Sequence, residues 1–89
     1  MRYEVVVEVW LRPGIADPQG ATIERALPAL GFEGIEGVSV GKAFRFTVEA
    51  ASEREAGDRA GELAVRLLAN PVMEDAEISV TTAAAEARS

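Results

Sequence analysis

The sequence contains no cysteine and no histidine. The first absence rules out disulfides, zinc held by thiolates and a cysteine nucleophile. The second removes the commonest general base, the commonest transition-metal ligand and the usual pH switch near neutrality. A serine triad therefore has no imidazole to activate it. Lysine occurs once, as Lys42, in a turn-like setting unsuited to a desolvated nucleophile. Positive charge is also scarce: 9 basic residues stand against 15 acidic ones, for a net charge of −6. A general binder of nucleic acid or of anionic membranes carries the opposite bias. No apolar run approaches the roughly 20 residues that cross a bilayer. Met1-Arg2-Tyr3-Glu4 runs straight into a strand-like pattern, so no signal peptide is expected and a soluble cytoplasmic protein is the expectation.

With 89 residues the chain reads as one domain over 1–82 with a frayed, alanine-rich tail at 83–89. A chain this short buries only about 60–65% of the surface its unfolded form exposes. Its core is thin, and without disulfides or metal the remaining staple is association.

Tyr3 to Leu11 alternates: Tyr3, Val5, Val7, Val9 and Leu11 share one face, and Glu4, Val6, Glu8 and Trp10 the other. That is a strand with one clean apolar face. Arg12-Pro13-Gly14 breaks it. Asp17-Pro18 then reads as an N-cap with proline at the first helical position. Ile23, Ala26, Leu27 and Leu30 follow at helical spacing. Gly31 suits the left-handed position after the helix, with Phe32 folding back onto Leu27. Pro28 conflicts with a regular helix at a cost of about 3 kcal/mol, so a kink or loosened last turn is expected.

Val38 and Val40 begin a second extended stretch, continued in phase by Phe44, Phe46 and Val48. Gly41-Lys42 between them is either a hairpin turn or a bulge in one bent strand. Ser52 to Glu55 forms a capping box. Ala56, Ala60, Leu63, Ala64, Leu67 and Leu68 make the expected buried stripe of a second helix. Gly57 and Gly61, each costing about 1 kcal/mol there, allow a close backbone approach. Asn70-Pro71 ends the helix, and Ala76, Ile78 and Val80 mark a last strand. The order β-α-β(β)-α-β gives an α+β fold: two helices packed on one face of a mostly antiparallel sheet, a ferredoxin-like sandwich.

Little of this carries chemistry. Gly37 to Ala43 faintly suggests a phosphate loop, but Glu36 stands where its first glycine belongs and Ala43 where its hydroxyl belongs. Glu74, Asp75 and Glu77 resemble no coordinating loop and read as solvated surface. Contact surfaces are better represented. Val6 and Trp10 share the open sheet face and suit an interface seed. The loop with Arg12, Pro13, Gly14, Asp17, Gln19 and Gly20 is stiff enough to dock with little loss of entropy. Asp17 and Pro18 also serve simply to start the helix. Gly41 with Lys42, and Asn70 with Pro71, are weaker interface candidates better explained as turns.

Leu11-Arg12-Pro13-Gly14 with Asp17-Pro18-Gln19-Gly20, then Leu30-Gly31-Phe32, Val38-Ser39-Val40-Gly41-Lys42, and Leu67-Leu68-Ala69-Asn70-Pro71-Val72-Met73-Glu74-Asp75 occur together in this order. They resemble the PurS family, the small subunit of phosphoribosylformylglycinamidine synthase, over nearly the whole chain to about Thr81. The resemblance implies a subunit of a glutamine-dependent C–N ligase of purine biosynthesis. Its complex amidates formylglycinamide ribonucleotide with ATP and glutamine. No catalytic residue, metal or cofactor is expected in this chain. ATP, magnesium and glutamine belong to the partner subunits. The expected partners are a second copy in a homodimer (or a tetramer), a large synthetase subunit and a glutaminase subunit, with no nucleic acid and no membrane. The expected role is joining those subunits for ammonia transfer. Two other readings stand beside it. A stand-alone regulatory α+β module would sense a small molecule between protomers. An independent enzyme would need a base and an electrophile that the residues do not supply.

Overall fold

The computed structural model describes residues 1–82; the tail expected at 83–89 lies outside them. Three strands form one antiparallel sheet: β1 (Arg2–Leu11), β2 (Lys42–Glu49) and β3 (Glu74–Thr82), in the order β2-β1-β3. Helices α1 (Pro18–Ala26) and α2 (Glu53–Leu63) complete the α+β, ferredoxin-like architecture. The alternation in β1 does what it predicts. Tyr3, Val5, Val7 and Val9 are buried, facing Val48, Phe46 and Phe44 across one ladder and Val80 and Ile78 across the other. Complete burial of Val5, Val7 and Val9 stabilises the fold by about 1.5–3 kcal/mol each.

Helix α2 rests mainly on β3 and β1, inserting Ala56, Ala60 and Ala64 into the core. Small residues let the helix lie close to the valines. Ser52 Oγ accepts from the Glu55 N–H at 3.1 Å, and Glu55 reaches back to accept from the Ala51 N–H at 2.5 Å. This is the expected capping box, with its return bond one residue earlier than usual.

The predicted stripe weakens toward its end, where Leu63 is only half-buried and outside the core cluster. Beyond Leu63 the chain widens into a π-type turn over Ala64–Leu68, with the Ala69 N–H bonded to the Ala64 carbonyl at 2.8 Å. The extra residue per turn rotates Leu67 outward, where it is 74% exposed, and leaves Leu68 packed on the core. Among the described residues no second backbone lies close to Gly57 or Gly61: a methyl at Gly57 would touch only the Val80 side chain, at 3.8 Å, and at Gly61 would meet nothing.

Pro28 acts as expected. Helix α1 stops at Ala26, and Pro28 opens a 3-10 turn over Pro28–Leu30, where its missing N–H is harmless. Gly31 follows at φ 90°, and the Phe32 N–H bonds back to the Leu27 carbonyl at 3.0 Å. Val38–Val40 is neither a hairpin arm nor part of a long bent strand. It lies outside the sheet, and β2 begins only at Lys42. Two carboxylates of the α1 region hold it instead. Asp17 Oδ2 accepts from the Val40 N–H at 2.8 Å, and Glu24 Oε1 accepts from the Val38 N–H at 3.0 Å.

Candidate functional site

Because β1 runs antiparallel to both neighbours, its end lies beside the starts of β2 and β3. Topology therefore gathers three segments that are distant in sequence: the Arg12–Gly20 loop, Gly41-Lys42 and the Asn70–Asp75 turn. Almost every sequence-selected residue falls here. Val6 does not; it sits at mid-sheet on the open face, half-buried between Arg45 and Ser79.

Arg12 ties the first segment to the third. Its N–H donates to the Met73 carbonyl at 2.9 Å, its Nε to Asp75 Oδ1 at 3.1 Å, and its terminal nitrogen to the Pro71 carbonyl at 2.5 Å. Its charge thus serves the fold as well as any partner. Asn70 organises the turn it stands in. Its Oδ1 accepts from the Val72 N–H at 2.9 Å, and its carbonyl accepts from the Met73 and Glu74 N–H groups. Glu74 Oε1 returns the bond, accepting from the Asn70 N–H at 2.8 Å. Asn70 thus has a structural role in the turn.

Asp17 ties the first segment to the second. Its side chain caps α1, accepting from the Gly20 N–H at 2.9 Å, and also receives the Val40 N–H. These backbone donors hold its carboxyl below the usual carboxylate range, Gly20 first, then Val40, with Gln19 adding less and desolvation opposing. Gly20 is buried against Val38, and any side chain there would collide with the Val38 carbonyl oxygen. Gly41 has the same reason to be glycine, since an added methyl would lie 2.7 Å from the Val9 carbonyl. The capping role of Asp17 was legible from its proline neighbour. Its bond to Val40, and the parallel role of Glu24, carry no local signal except that both acids lie on one side of a helix, seven positions apart.

Trp10 is 38% exposed on the open sheet face, flanked by Gly41 and Asp75. Lys42 points to the other face, its Nζ 5.9 Å from the centre of the Phe44 ring. Trp10, Leu11, Asp17, Gln19, Gly41 and Lys42 line a shallow cleft of about 290 Å³. Pro13 and Gly14 are exposed at the tip of the turn beyond. No polar or charged side chain is buried among the described residues, and no three or more of their carboxylates are grouped so as to hold a metal ion. The arrangement offers shape, an exposed ring and hydrogen-bonding loops, which suits contact with another protein. No helix among the described residues is long and apolar enough to cross a membrane.

A family model described as PurS, phosphoribosylformylglycinamidine (FGAM) synthase, matches residues 4–82. The chain is 37% identical to phosphoribosylformylglycinamidine synthase subunit PurS of Methanocaldococcus jannaschii, over 88% of this chain and 94% of that one. It is 33% identical to the Bacillus subtilis subunit of the same name, over 94% and 99%. Among solved structures, PurS of Methanocaldococcus jannaschii superposes with a TM-score of 0.81 at 35% identity, covering 90% of this chain and 96% of that one. A chain of the PurLQS structure from Thermotoga maritima superposes with a TM-score of 0.84 at 28% identity, covering 91% and 99%. The chain belongs to the PurS family, the small subunit of phosphoribosylformylglycinamidine synthase, a ligase of purine biosynthesis.

Proposed function

We propose that this chain is the non-catalytic subunit that joins the large synthetase and glutaminase subunits and keeps their sites in register for ammonia transfer. The observation that carries this reading is the likeness to a chain of the Thermotoga maritima PurLQS structure, of which 99% is covered. The residue inventory supports it. Releasing ammonia from glutamine calls for an activated nucleophile, and this sequence has neither thiol nor imidazole. ATP, magnesium and glutamine are then used by the partner subunits, and this chain binds none of them. Its contribution is positional: ammonia made at one site meets the activated amide at another without first escaping to water.

The docking surface is the end of the sheet where Trp10, Arg12, Gln19, Gly41 and Lys42 lie together, with Pro13 and Gly14 at its tip. Val6 extends this surface along the open face. The chain acts as a homodimer, as its thin core and exposed apolar side chains favour. The test is reconstitution with the large synthetase and glutaminase in the presence of ATP and glutamine. Co-elution of all three supports the assignment. A chain that stays separate from both partners sinks it.

A further inference from the structure

Helix α2 packs on the valine side of the sheet. On the other side every residue of the three strands is exposed or half-buried. Val6 and Trp10 are the large apolar residues there, and the charge around them is lopsided. Glu8 and Glu77 stand directly opposite each other across the β1–β3 ladder, one step from the pair Trp10 and Asp75. Asp75 is already held by Arg12. Arg45 lies at mid-sheet opposite Val6. Glu8 and Glu77 have no ion-pair or hydrogen-bond partner among the described residues. Like charges directly opposite each other destabilise a sheet, so this pair does not serve the fold. Nor is any group of three or more acidic side chains among the described residues placed to hold a metal ion.

Two free carboxylates beside an exposed indole ring specify the chemistry of what would cover them. We infer that this face receives a basic protein surface of a larger subunit, with an arginine seated between Glu8 and Glu77 and its guanidinium against the Trp10 ring. A planar guanidinium offers donors to two carboxylates at once and stacks on an aromatic face, which a lysine ammonium does less well. The inference rests on the joining role proposed above and adds the chemistry of the surface that is joined. A second copy of this chain fits the face poorly, since it would bring the same carboxylates against them. Nucleic acid and anionic lipid are repelled for the same reason.

The test is the affinity of this chain for the synthetase and glutaminase together, measured by titration at low and high ionic strength. The main variant is Glu8→Gln with Glu77→Gln, which keeps shape and removes charge. It should bind at least about tenfold more weakly at low salt and lose most of the salt dependence. Its denaturant midpoint should not fall, because a repulsion has been removed. Trp10→Leu, which keeps apolar bulk without the ring face, should weaken binding as well. Unchanged affinity of the double variant would overturn the inference and leave the joining role intact. Weaker binding matched by a loss of stability would assign the pair to the fold and overturn it too. Altered self-association with unchanged assembly would mean that the face meets a second copy, against the inference. A wild-type chain that never joins the larger subunits would overturn both the inference and the joining role.

Discussion

Asp17 and Val40 stand 23 positions apart, yet the carboxylate of one receives the backbone N–H of the other at 2.8 Å. The same carboxylate caps α1 through Gly20. One side chain thus fixes the start of the helix and the segment leading into β2. With Glu24 bonded to Val38 two turns on, α1 and Val38–Val40 form a single arm.

This arm should respond to acid. The carboxyl of Asp17 lies below its ordinary 3.8 in the folded chain because backbone N–H groups favour its charged form. Its contribution is complete above the unfolded value and is lost as pH falls through the folded one. The Gly20 and Val40 amide resonances should therefore titrate together, with a midpoint below 3.8. In Asp17→Asn that shared titration should vanish. Independent movement of the two amides would show that they do not share one acceptor.

Gly20→Ala tests the closeness of the arm. The added methyl meets the Val38 backbone, which is held on either side and cannot give way like the end of a flexible side chain. Such crowding costs about 1–3 kcal/mol, despite alanine's better helix propensity. Denaturant unfolding measures it, and a more stable variant would contradict the packing.

The π-type turn makes adjacent leucines unequal. Leu67→Ala should change stability by less than about 0.5 kcal/mol, as at other open surface positions. Leu68→Ala removes a side chain packed on the core and should cost about 1–3 kcal/mol, part of the penalty for a fully buried leucine. Equal effects would mean that α2 continues as a regular helix past Ala64.

Arg12 separates folding from docking. Its pair with Asp75 is half exposed, so Arg12→Ala should lower stability by no more than about 1 kcal/mol. If the Asn70–Asp75 turn belongs to the docking surface, the same change should weaken assembly with the larger subunits by about tenfold or more, roughly 1.4 kcal/mol. Lysine should not restore it, since one ammonium cannot reproduce the fork that reaches both Asp75 and the Pro71 carbonyl. Matched losses of stability and binding would assign Arg12 to the fold alone.

The parts of this structure that sequence makes legible are those governed by near neighbours. The alternation of Tyr3 to Leu11, the caps at Asp17 and Ser52, and the break at Pro28 all depend on residues within a few positions. Val38–Val40 is different. It continues the phase of Phe44 and Phe46, so its pattern reads as strand, but its amides bond to carboxylates from another element. Leu67 and Leu68 are both apolar, and nothing local says which faces inward once a residue is added to the turn. The same limit applies to the site. Prolines and glycines mark the loops, but only the antiparallel pairing of β1 with both neighbours makes them adjacent. The apolar side of α1 stays open in this chain, because helical spacing predicts an apolar face without saying what covers it.

The central claim is that this chain provides contact and position while the reaction proceeds on other subunits. Its most direct test compares product formation by the large synthetase and glutaminase with and without this chain, using glutamine or free ammonia as the nitrogen source. The account predicts that omitting the chain abolishes the glutamine-dependent rate and spares the ammonia-dependent one. An undiminished glutamine-dependent rate in its absence, or turnover by the chain alone, would contradict it.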